Sequence, residues 1–303
     1  MQAIKRALVT GISGFTGYYV AKELEDAGFE VHGLGVNPAS LPHYHQVDLT
    51  DPSALTHAVA AINPNVVIHL AGLAFVAGSN GNDFYHINTI ASRNLLEALV
   101  AQAPGIEAVL LASSANIYGN KTEGKLSELT LPDPANDYAV SKLAMEYMAR
   151  LYQDRLPIMI TRPFNYTGAG QANHFLIPKI VSHFARKEGK IELGNMWVER
   201  DFSDVRIVAK SYAHLIQKPA QGEIFNICSE NLYSLKSILG MMAEIAGYEI
   251  EAIVNPAFVR KNEIQKLQGD AGKLRKQIQD LPVIPLQETL QWMYQSMLAS
   301  HAP

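Results

Sequence analysis

The first half of the chain alternates two hydrophobic rhythms. Short, nearly continuous apolar runs, "RALVTG" (6–11), "EVHGLGV" (30–36), "NVVIHLAG" (65–72), "AVLLASSANIYG" (108–119) and "PIMITRPFN" (157–165), predict strands. Between them lie stretches with apolar residues at helical spacing: "TGYYVAKELEDAGF" (16–29), "SALTHAVAAI" (53–62), "YHINTIASRNLLEALVAQA" (85–103) and "DYAVSKLAMEYMARLYQ" (137–153). The strand at 65–72 has almost nothing polar between Val66 and Ala71, as expected when both faces of a sheet are covered. Strand–helix alternation with short joints predicts an α/β fold, a Rossmann-like doubly wound parallel sheet. After about Asn165 the regularity fades. "EIFNICSE" (223–230) predicts one more strand, "EIEAIVN" (249–255) permits another, and the tail from Leu235 is mostly helical. The expected organisation is a dinucleotide-binding domain of residues 1–165 plus about 198–230. A smaller, discontinuous C-terminal substrate lobe takes about 166–197 plus 231–303, with the site in the cleft between them.

Composition changes this picture mainly by exclusion. Charged residues make up 18% of the 303 positions and hydrophobic ones 48%, the balance of an ordinary globular protein. A net charge of −4 speaks against nucleic acid as a partner, because phosphate contacts need a concentrated basic face. No run approaches the roughly 20 apolar residues of a membrane span, and the N-terminus lacks the features of a secretion signal. The single cysteine, Cys228, permits no internal disulfide and is expected to be a small buried core residue. These features predict a cytoplasmic protein without a membrane partner.

The loop "TGISGFTG" (10–17) joins the first strand to the first helix and spaces Gly11, Gly14 and Gly17 three apart. A strand ending in glycines and opening onto a helix can hold a pyrophosphate. The helix N-terminus offers N–H groups and positive dipole, and glycine permits close approach. A dinucleotide is therefore expected here. The second strand ends near Gly35 with no carboxylate for ribose hydroxyls, which weakens NAD(H) and permits a 2′-phosphate; no arginine follows to bind one. NADP(H) and NAD(H) both stay open. Asp48 in "VDLTD" can accept from an adenine amino group, or serve the cap region of the next helix.

Tyr138 and Lys142 in "YAVSK" stand four apart on one helix face, and Ser114 ends the preceding strand 24 residues earlier. A tyrosine with its ordinary pKa of about 10 is a poor acid–base at neutral pH, and a neighbouring ammonium is expected to favour the phenolate. Lysine can also hold a ribose, and a strand-end serine can polarise a carbonyl. His69 is expected to be a hydrogen-bonded packing residue. His43 and His45 resemble metal ligands only superficially, and no metal is expected.

The ordered set "TGISGFTG", "DL" (48–49), "HLAG" (69–72), "SSANIYG", "YAVSK", "RPFNYTGAGQ" and "RDFSDV" resembles the extended short-chain dehydrogenase/reductases that act on nucleotide sugars, over nearly the whole chain. The resemblance implies Ser114, Tyr138 and Lys142 as catalytic residues. It implies cofactor contacts from Gly11, Gly14, Phe15, Thr16, Gly17, Asp48, Leu49, Leu70, Ala71, Gly72, Tyr138 and Lys142. It also implies substrate contacts from Asn165, Arg200 and Arg260, the arginines meeting a pyrophosphate. Asn116 stands where the family's dehydratases carry a glutamate and its epimerase-reductases a cysteine. Neither chemistry is therefore expected, and hydride transfer at C4 remains. "VRKNEIQKLQGDAGKLRK" (259–276) is most similar to reductases of GDP-4-keto-6-deoxy-D-mannose, which form GDP-D-rhamnose, although Ile207 departs from an acid in the family's "DFxDVxDV". The implied partner is a GDP-sugar, and the matching helices imply a homodimer. A nucleotide-sugar 4-epimerase and a non-catalytic dinucleotide sensor are the alternatives.

Overall fold

The five apolar runs of the first half all become strands, and the residues alternating along each one enter opposite cores. The computed structural model describes residues 4–74, 80–120, 124–259 and 265–300. Its first half runs β1 (Arg6–Thr10), α1 (Phe15–Asp26), β2 (Glu30–Gly35), β3 (Tyr44–Gln46), α2 (Pro52–Ile62) and β4 (Val66–His69). Then come α3 (Gly81–Tyr85), a π-helical turn (His86–Ile90), α4 (Ala91–Gln102), β5 (Ala108–Ala112), a 3-10 turn (Ala115–Tyr118) and α5 (Asp137–Arg150). The second half runs β6 (Ile158–Pro163), β7 (Asn165–Thr167), α6 (Leu176–Ala185), β8 (Lys190–Leu193), β9 (Glu199–Asp204) and α7 (Val205–Gln217). It ends with β10 (Ile224–Ile227), β11 (Leu232–Ser234), α8 (Leu235–Ala246), β12 (Glu251–Val254), β13 (Lys266–Leu267), α9 (Gly272–Gln277) and α10 (Leu286–Ser300).

Seven strands form one sheet in the order β3-β2-β1-β4-β5-β6-β10, every neighbouring pair parallel. Ala7 and Val9 face α1 and α7, joining Val20, Leu24, Tyr212 and Leu215 in one core. Leu8 faces the other side, with Leu55, Leu95, Leu99 and Met145 of α2, α4 and α5. Burying each such aliphatic side chain is worth about 1.5–3 kcal/mol, which is what holds the helices to the sheet. The order reverses between β1 and β4, and the crevice beyond their carboxyl ends is where open α/β sheets take ligands. The glycine loop leaves β1 at that point, and Leu70–Gly72 leave β4 there. Among the described residues no helix is long and apolar enough to cross a membrane.

The last 140 residues build a second core. β9 pairs with β11, β13 and β7, and β8 pairs with β12. Ile180, Phe184, Phe202, Ile238, Met242 and Leu290 pack together around them. α7 returns to the main sheet. The sequence pattern did not indicate β3, because three partly polar residues carry too short an alternation to register.

His69 ends β4 inside the fold, as expected of a packing histidine. One ring nitrogen meets Thr10 Oγ1 at 2.7 Å and the other Ser92 Oγ at 2.8 Å. Burial, reinforced by the Lys142 ammonium, pushes its pKa down to about 3. The unfolded chain, at about 6.5, takes up a proton that the folded chain refuses. Stability from this residue is thus complete above about pH 6.5 and drains away as pH falls toward 3. Between pH 6 and 4 the wild-type unfolding free energy should fall more steeply than that of His69→Gln, by about 1.4 kcal/mol per pH unit. Urea titrations at several pH values measure this; parallel curves for the two proteins would defeat it.

Candidate active site

Gly11 follows β1 with φ +70, a left-handed conformation that suits glycine, and its N–H donates to the Leu34 carbonyl at 2.8 Å. A Cβ here would lie 2.9 Å from the Ala71 nitrogen, so the loop presses against the segment after β4. Gly14 is the N-cap of α1 and no side chain caps it. Gly17 packs so tightly that a Cβ would meet the Gly11 and Ile12 carbonyl oxygens at 2.4 and 2.5 Å. An uncapped helix N-terminus behind a close-packed glycine turn fits a dinucleotide pyrophosphate. Phe15 stacks on Tyr166 with ring centroids 6.2 Å apart, and Thr16 Oγ1 is 2.8 Å from the Tyr166 hydroxyl. These contacts bring β7, with Asn165, against the loop.

β2 ends at Gly35, as expected, without an acid. Asp48 is not the helix cap: Asp51 caps α2 by accepting from Ser53 and Ala54 N–H. The Asp48 carboxylate instead accepts from the Thr50 N–H and hydroxyl, both at 2.8 Å. These bonds, the backbone one first, hold its pKa below the usual carboxylate range. Asn94 fixes the following residue by donating to the Leu49 carbonyl at 3.0 Å. Leu70 and Ala71 are tied back to Thr10, through its carbonyl and its hydroxyl.

Ser114 opens the 3-10 turn after β5, and its Oγ accepts from the Asn116 backbone and side-chain N–H groups at 3.2 and 3.1 Å. Its side chain also acts on Tyr138, near the start of α5, lowering the pKa of that phenol. Lys142, one turn on, donates to the Ala112 carbonyl at 2.9 Å. A Cβ on Gly72 would lie 3.2 Å from the Lys142 Nζ, which therefore stands beside the end of β4. Ser114, Tyr138 and Lys142 thus come together at the carboxyl edge of the sheet, next to the glycine loop.

The electrostatics differ from expectation. Burial pushes Tyr138 up to about 12; Ser114 lowers it and Tyr166 adds to the rise, with no contribution from Lys142. The ammonium is aimed at the Ala112 carbonyl rather than at the phenol. Burial likewise pushes Lys142 down to about 8, against an opposing pull from Glu146.

Among the described residues Asn165 Nδ2 is buried without a hydrogen-bond partner, which suits a group kept for a ligand. Arg200 donates to the Glu199 and Gln265 carbonyls at 3.0 and 3.4 Å. Arg260 itself lies outside the described residues. Cys228 is half-buried beside Gly269 and burial raises its thiol pKa, which keeps it unreactive. His43 and His45 gather with His32, whose Nδ1 is 3.3 Å from His45 Nε2. Among the described residues no group of three or more His, Cys, Asp or Glu is placed to hold a metal ion.

Sequence reasoning missed Asn88. It sits in the π-helical turn, accepts from the Leu73 N–H at 2.8 Å and donates to Ser141 Oγ at 3.1 Å. Ser141 Oγ in turn donates to the Tyr138 carbonyl at 2.8 Å. One widened turn thereby ties the segment after β4 to the helix carrying Tyr138. Nothing in "YHINTIASRN" marks a π turn, since its apolar spacing is that of an ordinary helix.

Residues 7–228 match the NAD dependent epimerase/dehydratase family. The chain is 36% identical over 297 residues to the GDP-6-deoxy-D-talose 4-dehydrogenase of Aggregatibacter actinomycetemcomitans, covering 97% of this chain and 98% of the relative. It is 33% identical over 298 residues to the GDP-6-deoxy-D-mannose reductase of Pseudomonas aeruginosa, covering 94% and 95%. A solved structure of RMD from Pseudomonas aeruginosa complexed with NADPH superposes with a TM-score of 0.85 at 30% identity, covering 97% of this chain and 99% of that one. The family match over most of the chain and relatives above 30% identity along nearly its full length decide the family: the chain belongs to the NAD dependent epimerase/dehydratase family.

Proposed function

We propose that the protein is an NAD(P)H-dependent 4-reductase of a nucleotide-linked 4-keto-6-deoxy sugar, converting GDP-4-keto-6-deoxy-D-mannose to GDP-D-rhamnose. The observation that carries this reading is the placing of Ser114, at the end of β5, with Tyr138 and Lys142, one turn apart on α5, at the carboxyl edge of the sheet, where Lys142 donates to the Ala112 carbonyl at 2.9 Å. Two relatives named for oxidoreduction of GDP-6-deoxyhexoses, similar over nearly the full chain, supply the substrate class.

In this reading Gly11, Gly14, Phe15, Thr16 and Gly17 hold the pyrophosphate, and Asp48 accepts from the adenine. Leu49 and Leu70–Gly72 line the path toward the nicotinamide. When bound, the reduced dinucleotide supplies hydride to C4 of the sugar. Tyr138 gives its phenolic proton to the C4 oxygen as negative charge develops there, and Ser114 bonds the same oxygen. A phenol held near pKa 12 is fully protonated at neutral pH, the state that reduction requires. Lys142 holds a ribose. Asn116 can donate to Ser114 but take no proton, so neither dehydration nor C5 epimerisation has its base. Asn165, Arg200 and Arg260 meet the substrate nucleotide.

The sequence pattern divides the lobes as residues 1–165 plus about 198–230 against 166–197 plus 231–303; we keep that division except for β9, which pairs with β7, β11 and β13 of the substrate lobe. The protein works in the cytoplasm as a homodimer. Exposed Ile90, Val140, Tyr147 and Leu151 on the α4 and α5 side support a second copy docking there.

Absorbance at the reduced-nicotinamide band tests the function. Protein is mixed with NADPH or NADH and with GDP-4-keto-6-deoxymannose generated in place by a dehydratase. Stoichiometric loss of signal, absent without the keto-sugar, is expected and ranks the two cofactors. No loss, with NAD released on denaturing the protein, would replace this reading by a 4-epimerase.

A further inference from the structure

Arg162 on β6 is 3% exposed, and its guanidinium reaches two elements at once. Its Nε and Nη2 donate to Glu146 Oε1 and Oε2 at 3.0 and 2.7 Å, a bidentate pair with a wholly buried carboxylate on α5. Its Nη1 donates to the Tyr118 hydroxyl at 3.0 Å, at the end of the 3-10 turn that Ser114 opens. Tyr118 passes its own proton to Asn226 Oδ1 at 2.7 Å. The Asn226 side chain donates to the Leu126 carbonyl at 2.8 Å, and its backbone N–H to Glu128 Oε1 at 2.7 Å. Register explains the meeting, because Arg162 and Asn226 are direct neighbours on β6 and β10.

Glu146 stands one turn beyond Lys142 and two beyond Tyr138 on α5, so the guanidinium clamps the helix that carries both. Through Tyr118 it clamps the turn that carries Ser114. Ser114 and Tyr138 stand on these two elements, so their separation is set by how the two are held. A buried ion pair is poor evidence of stabilisation, since desolvation offsets much of the attraction. A planar fork with a third donor fixes geometry in a way that a lysine ammonium cannot.

We propose that Arg162, with Glu146 and Tyr118, is a positioning device for the reaction centre, setting the Ser114–Tyr138 geometry from beneath. The proposal rests on the reading of Ser114 and Tyr138 given above and adds three residues that touch neither substrate nor cofactor.

Removing Arg162 or Glu146 alone strands a buried charge and threatens the fold, so Tyr118→Phe is the clean variant. It deletes the single bond between guanidinium and Ser114 turn, and with it the Tyr118 bond to Asn226, while leaving the ion pair and the ring in place. Two readouts are taken on the full chain: steady-state kinetics with the keto-sugar, and the 19F resonance of 3-fluorotyrosine placed at position 138. The expected result is a fall in kcat of about tenfold or more, with KM changed less than twofold, and a displaced resonance. An unmoved resonance, or an unchanged kcat per folded molecule of an active protein, overturns the proposal. If the wild-type protein consumes no reduced dinucleotide with keto-sugar, the functional reading falls. The resonance still decides whether Tyr118 positions Tyr138.

Discussion

Tyr138→Phe should lower turnover by about 10²–10⁴-fold, the span that positioned acid–base groups contribute, while dinucleotide affinity stays within a few-fold of wild type. Tyr138 is half-buried, and Ser114 acts on its hydroxyl. Its ring lies edge-on to Phe84 with centroids 5.9 Å apart. Phenylalanine preserves the ring contact and removes only the proton donor, so the loss belongs to chemistry and not to folding. Ser114 would keep its two bonds from Asn116. Parallel measurements of kcat, KM and dinucleotide binding separate these contributions. Turnover near wild type in this variant would remove Tyr138 as the proton donor and leave the reductase reading without its acid.

Gly17→Ala should be nearly as damaging, by a different route. The added methyl carbon would sit 2.4, 2.5 and 2.6 Å from the Gly11 oxygen, the Ile12 oxygen and the Ile12 Cα. All three are backbone atoms of the turn, so no side chain can swing aside. α1 must lift from the loop, at a cost of about 1–3 kcal/mol or more for overpacking, and the amides at its N-terminus lose their aim. Dinucleotide binding should weaken by at least an order of magnitude, with a lowered melting temperature. Gly105→Ala is the control, since a Cβ there meets nothing within 4 Å. Calorimetric titration and thermal melts measure both variants. A Gly17→Ala protein that binds and melts like wild type would show that the loop has room and that its glycines are incidental.

What the chain discloses in one dimension follows from the range of each interaction. β1, β4 and β5 were legible because a strand covered on both faces must be apolar throughout. Tyr138 and Lys142 were legible because a helix turns residues four apart onto one face. The Arg162 network was not, since Glu146 lies 16 residues away and Tyr118 44. Only the packing of α5, β6 and the turn after β5 unites them. The three-histidine group is similar: His43 and His45 are close in sequence, but His32 joins them only because β2 and β3 pair. The expected effect of Lys142 on Tyr138 failed for a directional reason. Spacing places two side chains on one face but does not say where the ammonium points, and a carbonyl at 2.9 Å claimed it.

The π-helical turn at His86–Ile90 has a consequence for how this fold can change over generations. An α-helix advances about 100° per residue, and a π turn takes in one residue more than an α turn does. The surplus residue is absorbed within a single loop of helix, so Leu95, Leu96 and Leu99 of α4 keep their phase against the core. Asn88, inside that loop, is turned instead toward Leu73 and Ser141. Core and site are thereby put on separate clocks. A lineage can lose this surplus residue and so re-aim Asn88 without disturbing the sheet behind it.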